Sequence, residues 1–382
     1  MIDVRDKHFC CGCKACGIVC KVKAISFYED SLGFSYPQVD KNRCTGCNAC
    51  VRVCPFANGN AVKPADYEQR AYAARHNDLN EISTSRSGAV FVALSDSVLN
   101  SGGVVYGAAL DDQITVVHAR GTTKAECVKF KGSKYTQSDL GEITSQIIND
   151  LDNNKRVLFS GTPCQVNSVK RTIPSRLLDR LITVDVICHG VASPKVWKDY
   201  ISFLEGKEKK KIIDANFRDK GIYGWSGLHK ESFTYSDGIK RTYQYNFYQP
   251  YLLRPSCSKC PFANLNRCSD ITIGDFWGID GLDRTFNPDD TGCSLVICNT
   301  IKGERILTSA SKDLRLREFG IMDCLQPNLV HPTVEDKRSV SFEKDYSRLG
   351  FVYVYKKYGE VGVKHIYRRS INLLNRLWKK II

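Results

Sequence analysis

The chain has 382 residues, too many for one small domain, and its 42% apolar and 25% charged residues exclude a disordered or fibrous protein. No apolar run reaches the roughly 18 residues that cross a bilayer. The charged start, Met1 to His8, has no apolar segment behind it, which predicts no signal peptide and a cytoplasmic protein. The formal net charge is +14, and from Lys356 onward eight Lys and Arg stand against one acid.

Cysteine sets this composition apart. There are 18, and nine of them fall within the first 54 residues. In a reducing compartment such clusters read as metal ligands rather than disulfides. Cys10, Cys13, Cys16 and Cys20 are spaced C-x2-C-x2-C-x3-C, and Cys44, Cys47, Cys50 and Cys54 repeat that spacing with Pro55 after them. This is the two-cluster ferredoxin pattern, in which three closely spaced thiolates wrap one cubane and the fourth reaches the other cluster. The expected ligand sets are Cys10, Cys13, Cys16 with Cys54, and Cys44, Cys47, Cys50 with Cys20. Zinc sites pair their ligands across longer spacers and fit poorly. Gly12 and Gly46 stand where each loop turns under the inorganic sulfides. Lys21 replaces the usual proline after the first run, and Cys11 is out of register, so it reads as a bystander.

After this block, residues 58–64 read as a linker with turn formers and a proline. Residues 66–145 hold two buried-looking segments and an alternating run. Residues 150–330 repeat short β-branched runs that end in glycine- or cysteine-bearing turns, and residues 331–382 form a basic tail. The expected fold class is α+β (mixed α/β): a two-cluster ferredoxin fold over residues 1–60, then an α/β body. No G-x-G-x-x-G or P-loop is present, so the body is not expected to be a Rossmann domain.

Four of the remaining cysteines follow apolar runs or form a pair. Cys164 and Cys188 come after two of the strand-like runs, and Cys257 and Cys260 form C-x2-C. They read either as a third cubane site or as small core residues. Two loops carry phosphate-binding chemistry, or ordinary helix caps. Ser85, Arg86, Ser87 and Gly88 precede a helix-like stretch, where N–H groups can hold a pyrophosphate. Lys131, Gly132, Ser133, Lys134 and Tyr135 combine ammonium charge, a close-approach glycine and an aromatic ring. His189 beside Cys188 and Asp275 at a strand end are the acid–base candidates, each with a structural alternative as an orienting or bracing group.

The runs Leu158-Phe-Ser-Gly-Thr-Pro-Cys-Gln165, Ile187-Cys-His-Gly190, Arg254-Pro-Ser-Cys-Ser-Lys-Cys260 and Ser269-Asp-Ile-Thr-Ile-Gly-Asp-Phe-Trp-Gly278 resemble the coenzyme F-420 hydrogenase/dehydrogenase beta subunits. So do Ser85-Arg-Ser-Gly88 and Lys131-Gly-Ser-Lys-Tyr135, over residues from about 65 to 330. The resemblance implies an FAD-containing iron–sulfur oxidoreductase. It implies a third 4Fe–4S cluster on Cys164, Cys188, Cys257 and Cys260, with Cys268 as a spare ligand, and flavin contact for the two loops.

The expected activity moves electrons from the ferredoxin clusters through the third cluster to FAD, and on to an organic substrate or soluble carrier. The alternative is a non-catalytic electron-transfer subunit of a larger redox complex. Partners follow: a redox protein or carrier, a small organic substrate, no nucleic acid, and an oligomer left open. At the C-terminus, Val363, Ile366, Tyr367, Ile371, Leu374, Leu377, Trp378 and Ile381 recur at helical spacing among basic residues. That basic amphipathic helix reads as a contact with an anionic membrane surface or as a helix packed on protein.

Overall fold

The computed structural model describes residues 1–57, 67–221, 224–227, 230–243 and 249–359. Its centre is an eight-stranded mixed sheet. In spatial order the strands are Leu314–Phe319, Arg70–His76, Ser294–Cys298, Ile271–Asp275, Leu181–Val186, Val157–Gly161, Val104–Leu110 and Val116–Gly121. The four strands Val104–Leu110, Val157–Gly161, Leu181–Val186 and Ile271–Asp275 are parallel, and the flanking pairs are antiparallel.

The parallel strands are apolar on both faces because helices cover both. Leu158 points to the face covered by helices Val90–Asn100 and Ile301–Ala310. Its neighbours Val157 and Phe159 point to the other, covered by Ile143–Asp152 and Pro163–Thr172. Pro163 at the first turn of its helix and the Gln165 side chain accepting from Thr162 N–H at 3.0 Å end the strand sharply. The expected mixed α/β class is borne out. The four parallel strands lie side by side in chain order, without the reversal of a doubly wound nucleotide fold.

The blocks 66–145 and 150–330 share this one sheet, and the limit between them falls inside helix Ile143–Asp152. A three-stranded antiparallel sheet, Ile212–Asn216, Glu231–Tyr235 and Lys240–Tyr243, packs with helix Pro194–Glu208 around Trp197, Tyr200 and Phe233. Part of the tail joins the same core. Helix Ser339–Tyr358, broken at Gly350 (φ 74°), buries Phe342, Tyr346, Phe351 and Val354 there. Residues 58–64 and the apolar positions from Val363 to Ile381 lie outside the described residues. Among the described residues, no helix is long and apolar enough to cross a membrane.

The ferredoxin block is docked onto the body. Its hairpin, Ile25–Glu29 and Ser35–Val39, sends Leu32, Phe34 and Tyr36 into the aromatic core. Ser193 Oγ donates to Leu32 O at 2.6 Å, and Lys14 pairs with Asp139 at 2.9 Å.

Candidate redox centres and cofactor cavity

The two cysteine runs fold alike. Gly12 (φ 68°) and Lys14 (φ 61°) in the first loop match Gly46 (φ 71°) and Asn48 (φ 57°) in the second, each leading into a short helix, Ala15–Ile18 and Ala49–Val53. The fourth cysteine of each run lies among the first three of the other. Burial raises the Cys54 thiol to about 11, with the charges of Cys13 and Cys10 adding to it. Burial likewise raises Cys16, which feels Cys13, Cys10 and Cys54. In the other set, Cys20, Cys44, Cys47 and Cys50 line one hollow together with Val22 and Asn48. Backbone N–H groups already serve its sulfurs, Ala24 N to Cys20 Sγ and Ile2 N to Cys50 Sγ, both at 3.2 Å. Cys47 is exposed, so this set faces solvent.

The four body cysteines also converge. Cys188 is raised well above the ordinary thiol range by burial, with Cys257, Cys164 and Cys260 adding to the effect. Burial raises Cys257 and Cys260 to about 12, and each also feels Cys164. Protein thiols held neutral this way lose their protons when metal binds, so such an array suits a cluster. Among the described residues, no three His, Cys, Asp or Glu side chains are gathered tightly enough for a single metal ion. Cys268 donates its thiol to Pro163 O at 3.4 Å, beside the array.

Cys11 is no bystander. Its thiol interacts with both Cys13 of the first loop and Cys164 of the body, which with burial hold it well above the ordinary range. The same contact helps to hold Cys13 down at about 7 and lowers Cys164. Its counterpart in the repeat is the exposed Thr45. Only docking on the body gives position 11 a role, which is why the local pattern does not show it.

A cavity of about 560 Å³ opens at the carboxyl ends of the parallel strands, where open α/β sheets bind ligands. Its walls include Ser85, Arg86, Ser87, Lys131, Gly132, Ser133, Lys134 and Tyr135, together with Cys188, His189 and Asp275. The first turn of helix Val90–Asn100 also faces it. Gly88 does not belong to this wall. A Cβ there would meet Ala74 O at 2.1 Å, and its N–H donates to Ser294 Oγ at 2.9 Å. It is a packing glycine against the sheet rather than a ligand contact.

The cavity is basic. Lys131 pairs with Glu81. Lys134 is lowered to about 7 by burial, and its ammonium donates to the carbonyls of Lys129 (2.8 Å) and Lys131 (2.7 Å). His118, which no sequence motif singles out, is lowered to about 4 by burial, between Ser138 Oγ at 2.7 Å and Ser160 O at 2.9 Å. Asp275 accepts from Arg218 at 2.8 Å and Trp225 Nε1 at 3.0 Å, with Arg86 at 3.5 Å. That is the bracing arrangement. Arg218 lies over Trp277 at 4.7 Å, and Trp277 stacks on Trp225 at 4.7 Å. Trp277 closes one of the resembling runs, but nothing in the local sequence marks Arg218 for this place, and only the fold brings it here.

Residues 154–322 match the family model for the C-terminal part of the coenzyme F420 hydrogenase/dehydrogenase beta chain, and residues 9–58 match a 4Fe-4S dicluster domain. Residues 154–322 belong to that beta-subunit family. The chain is thus an iron–sulfur protein with a dicluster domain ahead of a beta-subunit body. The resemblance carried by the motifs is borne out, and the family model spans the larger, C-terminal share of it. Among solved structures, a chain of the F420-reducing [NiFe] hydrogenase complex from Methanosarcina barkeri is similar at 17% identity and a TM-score of 0.47. The alignment covers 77% of this chain and 92% of that one. No curated protein sequence matches this chain significantly.

Proposed function

We propose that this chain is the electron-transfer subunit of a larger redox complex, holding three 4Fe–4S clusters and FAD. The observation that carries the reading is the order of the sites. The solvent-facing set around Cys47 adjoins the set of Cys10, Cys13, Cys16 and Cys54; Cys11 links that set to Cys164; and Cys188 of the body set lines the cavity. When bound, clusters supply one-electron transfer, and a flavin exchanges one-electron for two-electron chemistry.

This chain's own residues do the holding. Lys131, Lys134, Arg86 and the helix start at Val90 supply positive charge for a pyrophosphate. Tyr135 offers a ring to the flavin side, and Asp275 keeps Arg218 and Trp225 in place. The subunit reading gains over a free-standing enzyme from the family, whose members are named as beta subunits. The second reading, an oxidoreductase acting on an organic substrate, draws on the width of the cavity and on Trp277, 40% exposed at its wall.

The discriminating experiment reduces the isolated chain anaerobically and offers it either one-electron dyes or a panel of small organic acceptors. Rapid reoxidation by the dyes with no reduced organic product fits the electron-transfer reading. Sustained turnover of an organic acceptor by the chain alone would sink that reading and favour the enzyme.

A further inference from the structure

Arg254 is 1% exposed, yet among the described residues no carboxylate lies within ion-pair distance of it. A buried guanidinium without a counter-charge is costly. The contrast is close at hand: Arg267, also buried, beside Cys260 and Cys268, is neutralised by Asp185 at 2.8 Å. Arg254 instead spends its donors on the ferredoxin loop and its dock. Nε donates to Cys10 O at 2.6 Å, Nη1 to Gln137 Oε1 at 2.9 Å, and Nη2 to Ser35 O at 2.8 Å. Nη2 also lies 3.7 Å from Cys10 Sγ. The guanidinium sits over Tyr36 at 4.4 Å, and the Arg254 carbonyl accepts from Cys257 N–H at 2.9 Å. A Cβ on Gly12 would strike Nη1 at 2.6 Å and Gln137 Nε2 at 2.8 Å, so the loop is shaped around Arg254 and the glutamine it holds.

We propose that Arg254 sets the reduction potential of the cluster held by Cys10, Cys13, Cys16 and Cys54, its charge being balanced by that cluster. The inference rests on the reading of those four cysteines as one ligand set. A cluster gains negative charge on reduction, so a desolvated cation at its sulfur favours the reduced state. The same residue opens the C-x2-C segment of the body set, which ties the potential of one site to the position of the next. Arg254 is a positioning residue; it need touch no substrate.

The test is a potentiometric titration followed by electron paramagnetic resonance on the anaerobically purified full chain, comparing wild type with Arg254→Gln and Arg254→Lys. Gln keeps a hydrogen-bonding head and loses the charge. One ferredoxin-type signal should then become at least tenfold harder to reduce, about 59 mV for one electron. Lys keeps the charge and loses the planar fork, and should recover at least half of that shift. Unchanged potentials in a fully loaded Gln variant overturn the proposal. If the Gln variant fails to load that cluster, the Lys variant decides: a near-native potential supports the proposal and a full tenfold shift overturns it. Failure of both variants to load also overturns it, since a mechanical clamp then accounts for the residue. A wild-type chain without 4Fe–4S signals contradicts the ligand reading itself, independently of Arg254.

Discussion

Tyr135 and His189 meet edge to face, their ring centroids 5.5 Å apart and their planes inclined at 71°. One ends the basic loop of the cavity and the other follows Cys188, so this contact joins the body thiol set to the cavity wall. Replacing Tyr135 with Ala should weaken flavin retention about tenfold, roughly 1.4 kcal/mol of lost ring contact. Tyr135→Phe should retain flavin almost as wild type does. Fluorescence titration of the flavin-stripped protein checks both, and equal affinities for the Ala variant and wild type would remove Tyr135 from the site.

Lys134 carries a second expectation. Burial lowers it to about 7, so near pH 8 most of these side chains are neutral in the open cavity. An incoming pyrophosphate stabilises the ammonium and raises its pKa again. Flavin binding at pH 8 should therefore take up close to one proton, and affinity should fall as pH rises above 7. Calorimetry in two buffers of different ionisation enthalpy measures the uptake. Proton-neutral binding would place the pyrophosphate away from Lys134.

His118 ties stability to pH. Its folded value, about 4, lies below the ordinary imidazole value of 6.5 given by the unfolded chain. The unfolded state therefore binds the extra proton between those values, and stability is full above pH 6.5 and is lost as pH falls toward 4. The full loss is roughly 3 kcal/mol from this one group, about 2 kcal/mol of it by pH 5. Urea unfolding of the metal-free protein at pH 7 and pH 5 should show the slope, and His118→Gln should flatten it. An equal slope in the variant would mean that other groups carry the acid sensitivity.

Gly88 and Gly132 should respond differently to alanine. At Gly88 the added methyl would overlap Ala74 O at 2.1 Å, so strand Arg70–His76 must shift. The expected loss is about 3 kcal/mol or more. At Gly132 the space is open and only φ 77° opposes the substitution, a strain of about 1 kcal/mol. Thermal unfolding ranks the two, and a milder Gly88→Ala would contradict its packing role.

What can be read from the sequence follows the range of each interaction. Cys10, Cys13, Cys16 and Cys54 declare themselves because cluster chemistry fixes their spacing within one short block. Cys164, Cys188 and Asp275 are legible because each directly follows or ends a β-branched run, and parallel strands bring such ends to one edge. Gly88 misleads because a Ser-Arg-Ser-Gly loop before a helix resembles a phosphate turn, whereas its reason is contact with a distant strand. Cys11 and Arg254 stay hidden because their partners are remote in sequence: Arg254 meets Cys10 across 244 positions. Charge alone assigns helix Ser339–Tyr358 to a basic tail, although its aromatic residues enter the core.

The central claim is that one chain aligns three clusters with a flavin. Anaerobic purification followed by iron, sulfide and extracted flavin measured on one sample tests it most directly. The account predicts about twelve irons and twelve sulfides per chain, from three cubanes, with one FAD. About eight irons and no flavin would contradict it, leaving the ferredoxin block as the only redox part and the cavity without its cofactor.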